Sequence, residues 1–150
     1  MSVNDVVSEA VKDFKSTLQD YPLEIDFEGD SSAPICSLAP LEFELAVFNL
    51  LKNAKEALRT QGADEPKVSI KISSDETYCF VNISDNGAVI SDSDFERMGS
   101  VFKSGKASGL GIGLSIVRSI VQNHNGNLVI ERGKYGGLIC RIRLPIFRAE

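Results

Sequence analysis

Apolar residues recur at helical spacing in three segments of the chain, and each segment predicts an amphipathic helix. The first covers residues 3–20 and ends before Tyr21-Pro22, because a residue that precedes proline disfavours helical geometry. The second covers about residues 41–59 and stops at Gly62. The third covers residues 113–124. Each helix has one apolar face, so each must pack against a second layer.

Alternating apolar and polar residues predict the strands. The first strand lies at residues 23–27, and two hairpins follow, residues 68–73 with 78–84 and residues 128–131 with 138–145. Because hairpin strands pair antiparallel, the sequence predicts a mixed, mainly antiparallel sheet with the three helices on one face. This is an α+β fold, a two-layer α/β sandwich.

The composition limits the class of protein. The chain has 150 residues, of which 43% are apolar, so we expect one domain with a buried core over residues 1–150. Its 16 basic and 21 acidic residues give a formal net charge of −5, which argues against a nucleic-acid partner. Cys36, Cys79 and Cys140 lack the spacing of a zinc site or a disulfide framework, which favours a reducing cytoplasm. No apolar run approaches the roughly 20 residues of a membrane span.

Two asparagines, Asn49 and Asn53, lie four residues apart in the second predicted helix, so their amides project from the same side. A carboxamide oxygen at the border of an apolar face can bind a hard cation without adding charge. The alternative is that ordinary hydrogen bonds satisfy both amides. Both interpretations stay open for two isolated asparagines.

The tripeptide Asp85-Asn86-Gly87 follows the strand at residues 78–84. By alternation Asp85 shares a face with Val81 and Ile83, so its carboxylate is largely desolvated if that face meets the helices. A buried carboxylate needs a hydrogen-bond donor, and the exocyclic amine of a purine is one such donor. The alternative is an ordinary turn, for which Asp-Asn-Gly is a favourable sequence.

Residues 85–110 contain no long periodic element and predict a loop with one short helix at residues 92–98. Gly109, Gly111 and Gly113 alternate directly at the start of the third helix, where backbone N–H groups can bind phosphate. This spacing matches neither the Rossmann fingerprint nor the P-loop, and a flexible loop is the alternative. The preceding segment at residues 102–106 adds local positive charge, with Lys106 either near a terminal phosphate or solvated.

In this order, the four pieces resemble the motifs of the ATP-binding catalytic domain of sensor histidine kinases, in the superfamily that includes gyrase B, Hsp90 and MutL. NLLKNAKEAL is similar to the N box, DNGAVI to the first glycine box, residues 102–106 to the lid motif and GLGIGLSIV to the second glycine box. The Gly-Gly hairpin and final strand resemble the usual ending. The resemblance spans about residues 40–145, with the ATP lid expected at about 91–108.

The resemblance implies a role for each matching residue. Asn53 would ligate a Mg²⁺ ion that bridges the triphosphate, and Asp85 would accept a hydrogen bond from the adenine amine. Asn49 stands where hydrolysing relatives carry a glutamate that activates water; an amide has no useful basicity, so the phosphoryl group stays available for another acceptor. Asn49, Asn53 and Lys106 are therefore the expected catalytic residues. The expected nucleotide contacts are Asn53, Asp85, Gly87, Ile90, Phe102, Gly109, Leu110, Gly111, Gly113 and Leu114.

One departure from the family pattern leaves alternatives open. Val89 replaces the second glycine of the first glycine box, and valine does not adopt positive φ cheaply. A degenerate nucleotide-binding module with a regulatory role is therefore one alternative, and an anti-sigma-type serine kinase is another.

The only histidine, His124, is interpreted as structural, and the chain contains no acceptor motif. The resemblance thus implies a histidine phosphoacceptor and dimerisation domain outside this chain and a response regulator as an indirect partner. It also implies a monomeric isolated domain, because the dimerising helices lie elsewhere.

Overall fold

The computed structural model describes residues 2–97 and 109–147, and side chains of the second range from Leu114 onward. Residues 92–97 are helical, in agreement with the short helix predicted there. The other elements follow the predicted order. They are α1 (Val3–Lys15), β1 (Glu24–Glu28), α2 (Pro40–Gln61), β2 (Lys67–Ser74), β3 (Tyr78–Asp85), α3 (Gly109–Asn123), β4 (Asn127–Arg132) and β5 (Leu138–Pro145).

The five strands form one sheet in the order β1-β2-β3-β5-β4. β1 pairs with β2 in parallel, whereas the other neighbouring strands pair antiparallel. The parallel pair is possible because α2 forms the long crossover from β1 to β2, while short turns join β2 to β3 and β4 to β5. The predicted mixed, mainly antiparallel sheet is confirmed.

The helices form the second layer of the sandwich. α2 lies in the middle, where it contacts α1, α3 and the sheet. At the α1–α2 contact, the rings of Phe14 and Phe48 pack edge to face with their centroids 5.3 Å apart. The core between the layers includes Phe43, Val47, Leu50, Leu51, Val68, Ile70, Val81, Ile83, Ile142 and Leu144. This arrangement confirms the predicted α+β sandwich.

Two helix boundaries differ from the prediction. α1 ends at Lys15 rather than near residue 20, because the hydroxyls of Ser16 and Thr17 donate to the carbonyls of Asp13 and Phe14 and satisfy the last turn. α3 begins at Gly109 instead of residue 113. Glycine permits helical backbone angles at a cost of about 1 kcal/mol relative to alanine, so a run of alternating glycines does not by itself exclude a helix.

His124 joins the end of α3 to the start of α2. Its Nδ1 lies 2.7 Å from the Ile120 carbonyl oxygen, and its Nε2 accepts a hydrogen bond from the backbone N–H of Ala39 at 2.9 Å. Ala39 is the N-cap residue of α2 and has no side chain that could cap the helix. The structural role predicted for His124 is confirmed by these contacts.

Three features of the described residues concern membrane spans, metal sites and disulfides, which the composition also addressed. Among them, no helix is both long and apolar enough to cross a membrane. The same part of the chain contains no group of three or more His, Cys, Asp or Glu residues placed to hold a metal ion. Cys36, Cys79 and Cys140 are free thiols, and Cys36 and Cys79 are buried in the core.

Candidate functional site

A mostly apolar cavity of about 50 Å³ lies between α2, α3 and the end of the sheet at which β3 stops. Its lining residues are Leu50, Asn53, Ala54, Ala57, Ile83, Ser84, Asp85, Leu114, Ile130, Leu138 and Cys140. Asn53, Asp85 and Leu114 come from three different predicted motifs, so the fold brings three of the expected site residues to one place.

Asp85 supplies the only carboxylate among the residues that line the described cavity. Its Oδ1 accepts the N–H of Gly87 at 2.9 Å, and its Oδ2 accepts the N–H of Leu138 at 3.4 Å. Burial raises the pKa of the Asp85 carboxyl above its ordinary value, and these two donors partly offset that rise. A carboxylate oxygen can accept more than one hydrogen bond, so Asp85 keeps acceptor capacity for a ligand N–H.

The turn between β4 and β5 packs directly behind Asp85. A Cβ atom on Gly137, whose φ is +72°, would overlap the carbonyl and the carboxylate of Asp85. A Cβ on Gly136 would overlap the Gly87 carbonyl. Glycine is therefore required twice in this turn, because the turn backbone and the Asp85–Gly87 backbone are in contact.

Hydrogen bonds and close contacts also hold Gly87 and Ala88 in place, and these two residues form the rim of the cavity. Gly87 is buried, and a Cβ there would lie 2.8 Å from both Asp85 Oδ1 and Gln61 Oε1. Gln61, the last residue of α2, accepts the Ala88 N–H at 2.9 Å, while the Ala88 carbonyl accepts the N–H of Gly137 at 2.9 Å. Gly87, a predicted contact, thus lies beside the carboxylate.

Ile90, another predicted contact, lies outside the cavity lining, and its carbonyl accepts a hydrogen bond from Arg132 at 3.1 Å. Val89 exposes 79% of its surface and is absent from the described non-glycine residues with positive φ. The valine therefore neither strains the backbone nor fills the cavity. The effect of this valine on nucleotide affinity stays a prediction.

The two asparagines of α2 make different contacts. Asn53 lines the cavity, and its Nδ2 is buried without a hydrogen-bond partner among the described residues. Asn49 lies one turn earlier, where its Nδ2 donates to the Leu45 carbonyl at 2.8 Å. Asn86, between Asp85 and Gly87, also has a structural role, because its side chain bonds the backbone of Lys67 and Glu65 at the start of β2.

The unpaired amide of Asn53 fits a cation ligand. Buried amides are normally hydrogen-bonded, and a half-turn of the side chain exchanges its nitrogen and oxygen, so the amide of this lining residue can offer either atom to a ligand. Mg²⁺ prefers oxygen ligands and usually keeps several waters and substrate phosphates in its coordination shell. A site in which the protein contributes one neutral oxygen therefore suits this ion.

Several predicted residues cannot be placed in the site. Phe102 and Lys106 lie outside the described residues, as does the expected lid from residue 98 to residue 108. Gly109, Leu110, Gly111 and Gly113 belong to the first turns of α3, but their side chains and exposure lie outside the description. Their proposed contacts with phosphate stay predictions.

Sequence reasoning missed two lining residues, Leu138 and Cys140, and two neighbours of the cavity, Gln61 and Arg132. Gln61 accepts the backbone N–H of Ala88, Leu138 donates its N–H to the Asp85 carboxylate, and Cys140 lines the cavity from β5. The Gly-Gly pair before Leu138 was a usable signal, since two adjacent glycines with positive φ indicate a tight turn against another backbone.

Comparison with known proteins gives the family. A model of the histidine kinase-, DNA gyrase B- and HSP90-like ATPases matches residues 39–148. The sensor protein TdiS of Thauera aromatica is 26% identical over 147 residues, which are 97% of this chain and 27% of that protein. The sensor protein FixL of Bradyrhizobium diazoefficiens is 27% identical over 144 residues, 96% of this chain and 28% of that protein. The chain thus spans about a quarter of these relatives.

Solved structures agree on the fold. The nucleotide-free catalytic domain of histidine kinase ThkA superposes with a TM-score of 0.80 at 23% identity, covering 97% of this chain and 92% of that one. The mycobacterial sensor histidine kinase MprB gives 0.77 at 19% identity and covers 99% of each chain. The resemblance found in the sequence is confirmed. The chain therefore belongs to the histidine kinase-, DNA gyrase B- and HSP90-like ATPases, as the domain of this family that sensor histidine kinases contain.

Proposed function

We propose that this domain binds Mg-ATP in the cavity between α2, α3 and the end of β3 and presents the γ-phosphoryl group to a histidine on a separate domain. One observation carries the proposal: Asn53 with its unpaired buried amide and Asp85 with its desolvated carboxylate line the same cavity. The first provides a cation ligand and the second an acceptor for a base, which are the two polar groups that a nucleotide needs there.

Asp85 would accept the exocyclic amine of adenine, while the N–H groups of Gly87 and Leu138 hold the carboxylate in place. The aliphatic lining from Leu50, Ile83 and Leu114 would cover the faces of the base. Guanine presents a carbonyl where adenine presents the amine, and a carboxylate repels that carbonyl. Asp85 would therefore select adenine nucleotides.

Asn53 would hold Mg²⁺ through its amide oxygen, and that ion would neutralise charge on the phosphate oxygens and orient them for transfer. Asn49, one turn toward the start of α2, cannot deprotonate water at neutral pH. Water is then a poor acceptor in this site, and the phosphoryl group is kept for a histidine.

The cavity must widen before it holds a base. Its volume of about 50 Å³ admits only a few water molecules, whereas small-molecule sites measure about 300–1,000 Å³. Leu114 of α3 and Leu50 of α2 both line the cavity, so movement of α3 away from α2 is the expected change. The free domain is therefore expected to bind nucleotide more slowly than a preformed pocket would.

The partners follow from the same proposal. The phosphoacceptor histidine belongs to a dimerising domain outside this sequence, and an aspartate of a response regulator would receive the phosphoryl group next. The isolated chain would be monomeric and would lie on the cytoplasmic side with its substrate ATP.

Isothermal titration calorimetry with ATP tests binding, with and without Mg²⁺. Asn53→Ala is expected to abolish the Mg²⁺ dependence, and Asp85→Ala is expected to abolish the preference for ATP over GTP. The control is Asn82→Ala, because Asn82 lies on β3 with its side chain bonded to Arg141, away from the cavity lining. No binding heat at millimolar Mg-ATP would contradict the proposal and leave the degenerate nucleotide module as the better interpretation.

Phosphoryl transfer needs a second assay. Labelled ATP is incubated with this domain and a histidine-containing dimerisation domain from a sensor kinase. The expected product is labelled on the histidine domain and is lost in acid, because the phosphorus–nitrogen bond of phosphohistidine is acid-labile. An acid-stable product would instead indicate a serine kinase.

A further inference from the structure

Arg132, the last residue of β4, lies beside the cavity although it does not line it. It directly faces Leu138 across the β4–β5 pair, and Leu138 both lines the cavity and bonds Asp85. Arg132 also shares a sheet face with Ile130, a lining residue two positions earlier on the same strand. The guanidinium group is therefore at the rim of the candidate nucleotide site.

From this position Arg132 makes three contacts with one segment that is distant in sequence. Its Nη1 donates to the Ile90 carbonyl at 3.1 Å and to Asp92 Oδ1 at 2.6 Å. Its Cζ lies 5.0 Å from the centre of the Phe95 ring, a cation–π contact. Phe95 is also the one residue between Ser91 and Arg97 that is not exposed.

The other hydrogen bonds of residues 90–95 are local. The Phe95 N–H donates to the Ser91 carbonyl at 2.9 Å, the Asp94 N–H donates to the Ser91 hydroxyl at 3.2 Å, and Arg97 pairs with Asp94. In the described chain, every hydrogen bond between residues 90–95 and the sheet is donated by Arg132. Removing this one side chain therefore leaves residues 90–95 without a hydrogen bond to the described part of the sheet.

We propose that Arg132 is a positioning residue, which holds residues 90–95 against the edge of the sheet and so keeps the rim of the nucleotide site in place before the nucleotide arrives. The inference rests on the proposed nucleotide function. Ile90 directly continues the rim that Gln61 and Gly137 hold at Ala88, so Arg132 extends the same restraint by two residues. Ordering a segment in advance lowers the entropic cost of binding.

The arginine side chain suits this role better than lysine. A guanidinium group has five N–H donors in a planar fork and stacks on an aromatic ring at the same time. A lysine ammonium at this position keeps the charge opposite Asp92, but one compact group would have to serve the carbonyl, the carboxylate and the ring, whereas in Arg132 Nη1 makes both hydrogen bonds while Cζ lies over Phe95. Arg132→Lys is therefore a sharper probe than a neutral substitution alone.

The first measurement uses the nucleotide-free domain. Hydrogen exchange of the Phe95 amide is compared in the wild type, Arg132→Gln and Arg132→Lys, and both variants are expected to exchange about tenfold faster because the segment is released. Asp92→Asn is expected to speed exchange in the wild type but to add nothing in the Arg132→Gln background. Wild-type protection in both arginine variants would overturn the inference, whatever the domain binds.

The second measurement is nucleotide affinity. Arg132→Gln is expected to raise the Kd for ATP and for ADP by the same factor, about three- to tenfold, because it acts on the rim and touches no phosphate. Arg141→Gln is the matched control: it removes the same charge from the next strand, where Arg141 bonds Asn82 and Glu131 on the opposite face of the sheet. A loss confined to ATP, or an equal loss in Arg141→Gln, would overturn the inference. A wild type that binds no nucleotide would contradict the proposed function, while the exchange result would still decide the role of Arg132.

Discussion

Gly137 lies against Asp85 so closely that no side chain fits between them. The Gly137 backbone occupies the left-handed region, with φ at +72°, and a Cβ there would overlap both the carbonyl and the Oδ1 atom of Asp85. The next residue, Leu138, donates its N–H to the other carboxylate oxygen. The turn between β4 and β5 therefore determines where the carboxylate of the candidate nucleotide site points.

Gly137→Ala is expected to destabilise the fold by about 2–5 kcal/mol, since the left-handed backbone costs about 1–2 kcal/mol and the overlap adds about 1–3 kcal/mol. Gly62→Ala is the matched control, because Gly62 has a similar φ of +67° with nothing within 4 Å of its Cβ position. Its expected cost is only about 1–2 kcal/mol. Chemical denaturation measures both, and calorimetry should show weaker ATP binding for Gly137→Ala alone. Equal costs with unchanged affinity would mean that the turn does not position Asp85.

The titration of Asp85 predicts a pH effect on stability. Burial raises the pKa of the carboxyl above 3.8, so the folded protein keeps this proton at pH values where the unfolded chain has lost it. The Asp85 contribution to the free energy of unfolding therefore falls as pH rises from about 3.8 through the raised pKa. Asp85→Asn removes this contribution, so the wild type should lose stability relative to the variant over that interval.

Asp75 provides a control of opposite sign. The N–H groups of Tyr78 and Thr77 lower the pKa of the Asp75 carboxyl below 3.8. Its stabilising contribution is complete above pH 3.8 and is lost as pH falls through the lowered pKa. Urea unfolding of wild type, Asp85→Asn and Asp75→Asn is measured from below to above pH 3.8. The stability of the wild type relative to Asp75→Asn should rise with pH below 3.8, and its stability relative to Asp85→Asn should fall with pH above 3.8. Parallel curves for Asp85→Asn and wild type would show that the carboxyl is not desolvated.

The sequence was sufficient for the fold because its periodicities are local. The two hairpins and the α2 stripe follow from alternation and from apolar spacing, and Gly62 ends α2 in the left-handed conformation as predicted. Local capping was harder to predict. The hydroxyls of Ser16 and Thr17 compete with the helix backbone, and nothing in the apolar pattern of α1 indicates that they stop it at Lys15.

The site was predicted only as far as motifs and alternation extend. Asn53 and Asp85 were assigned from their motifs, and the fold places both on one cavity. Gln61 and Arg132 were missed because they act on backbone atoms of residues that are distant in sequence, through contacts that depend on strand register. The volume of the cavity also depends on the exact packing of side chains such as Leu50 and Leu114, which no single-sequence pattern contains.

Asn49→Glu tests the proposal that this position keeps water out of the reaction. A carboxylate there can act as a general base, so ATP hydrolysis in the absence of a histidine acceptor is expected to rise by at least about tenfold. Phosphate release measures the rate, and Asn49→Gln is the control because it has the same length without basicity. The Asn49 amide bonds only its own helix backbone among the described contacts, so neither change should unfold the domain. Equal hydrolysis by the two variants would contradict the role assigned to Asn49.

Cys140 reports directly on occupation of the cavity. Burial and the nearby Asp85 carboxylate raise the pKa of its thiol to about 12 from an ordinary value of 9.0. Alkylation requires the thiolate, so iodoacetamide at pH 8 should modify Cys140 on the order of a thousandfold more slowly than the unfolded chain.

Because Cys140 lines the cavity with Asn53 and Asp85, saturating Mg-ATP should slow the reaction further, and Asp85→Asn should speed it by removing the charge. Mass spectrometry of the cysteine peptides measures each rate. A rate that Mg-ATP leaves unchanged, in a protein that calorimetry shows to be saturated, would place the nucleotide elsewhere, because a bound base would have to cover this thiol.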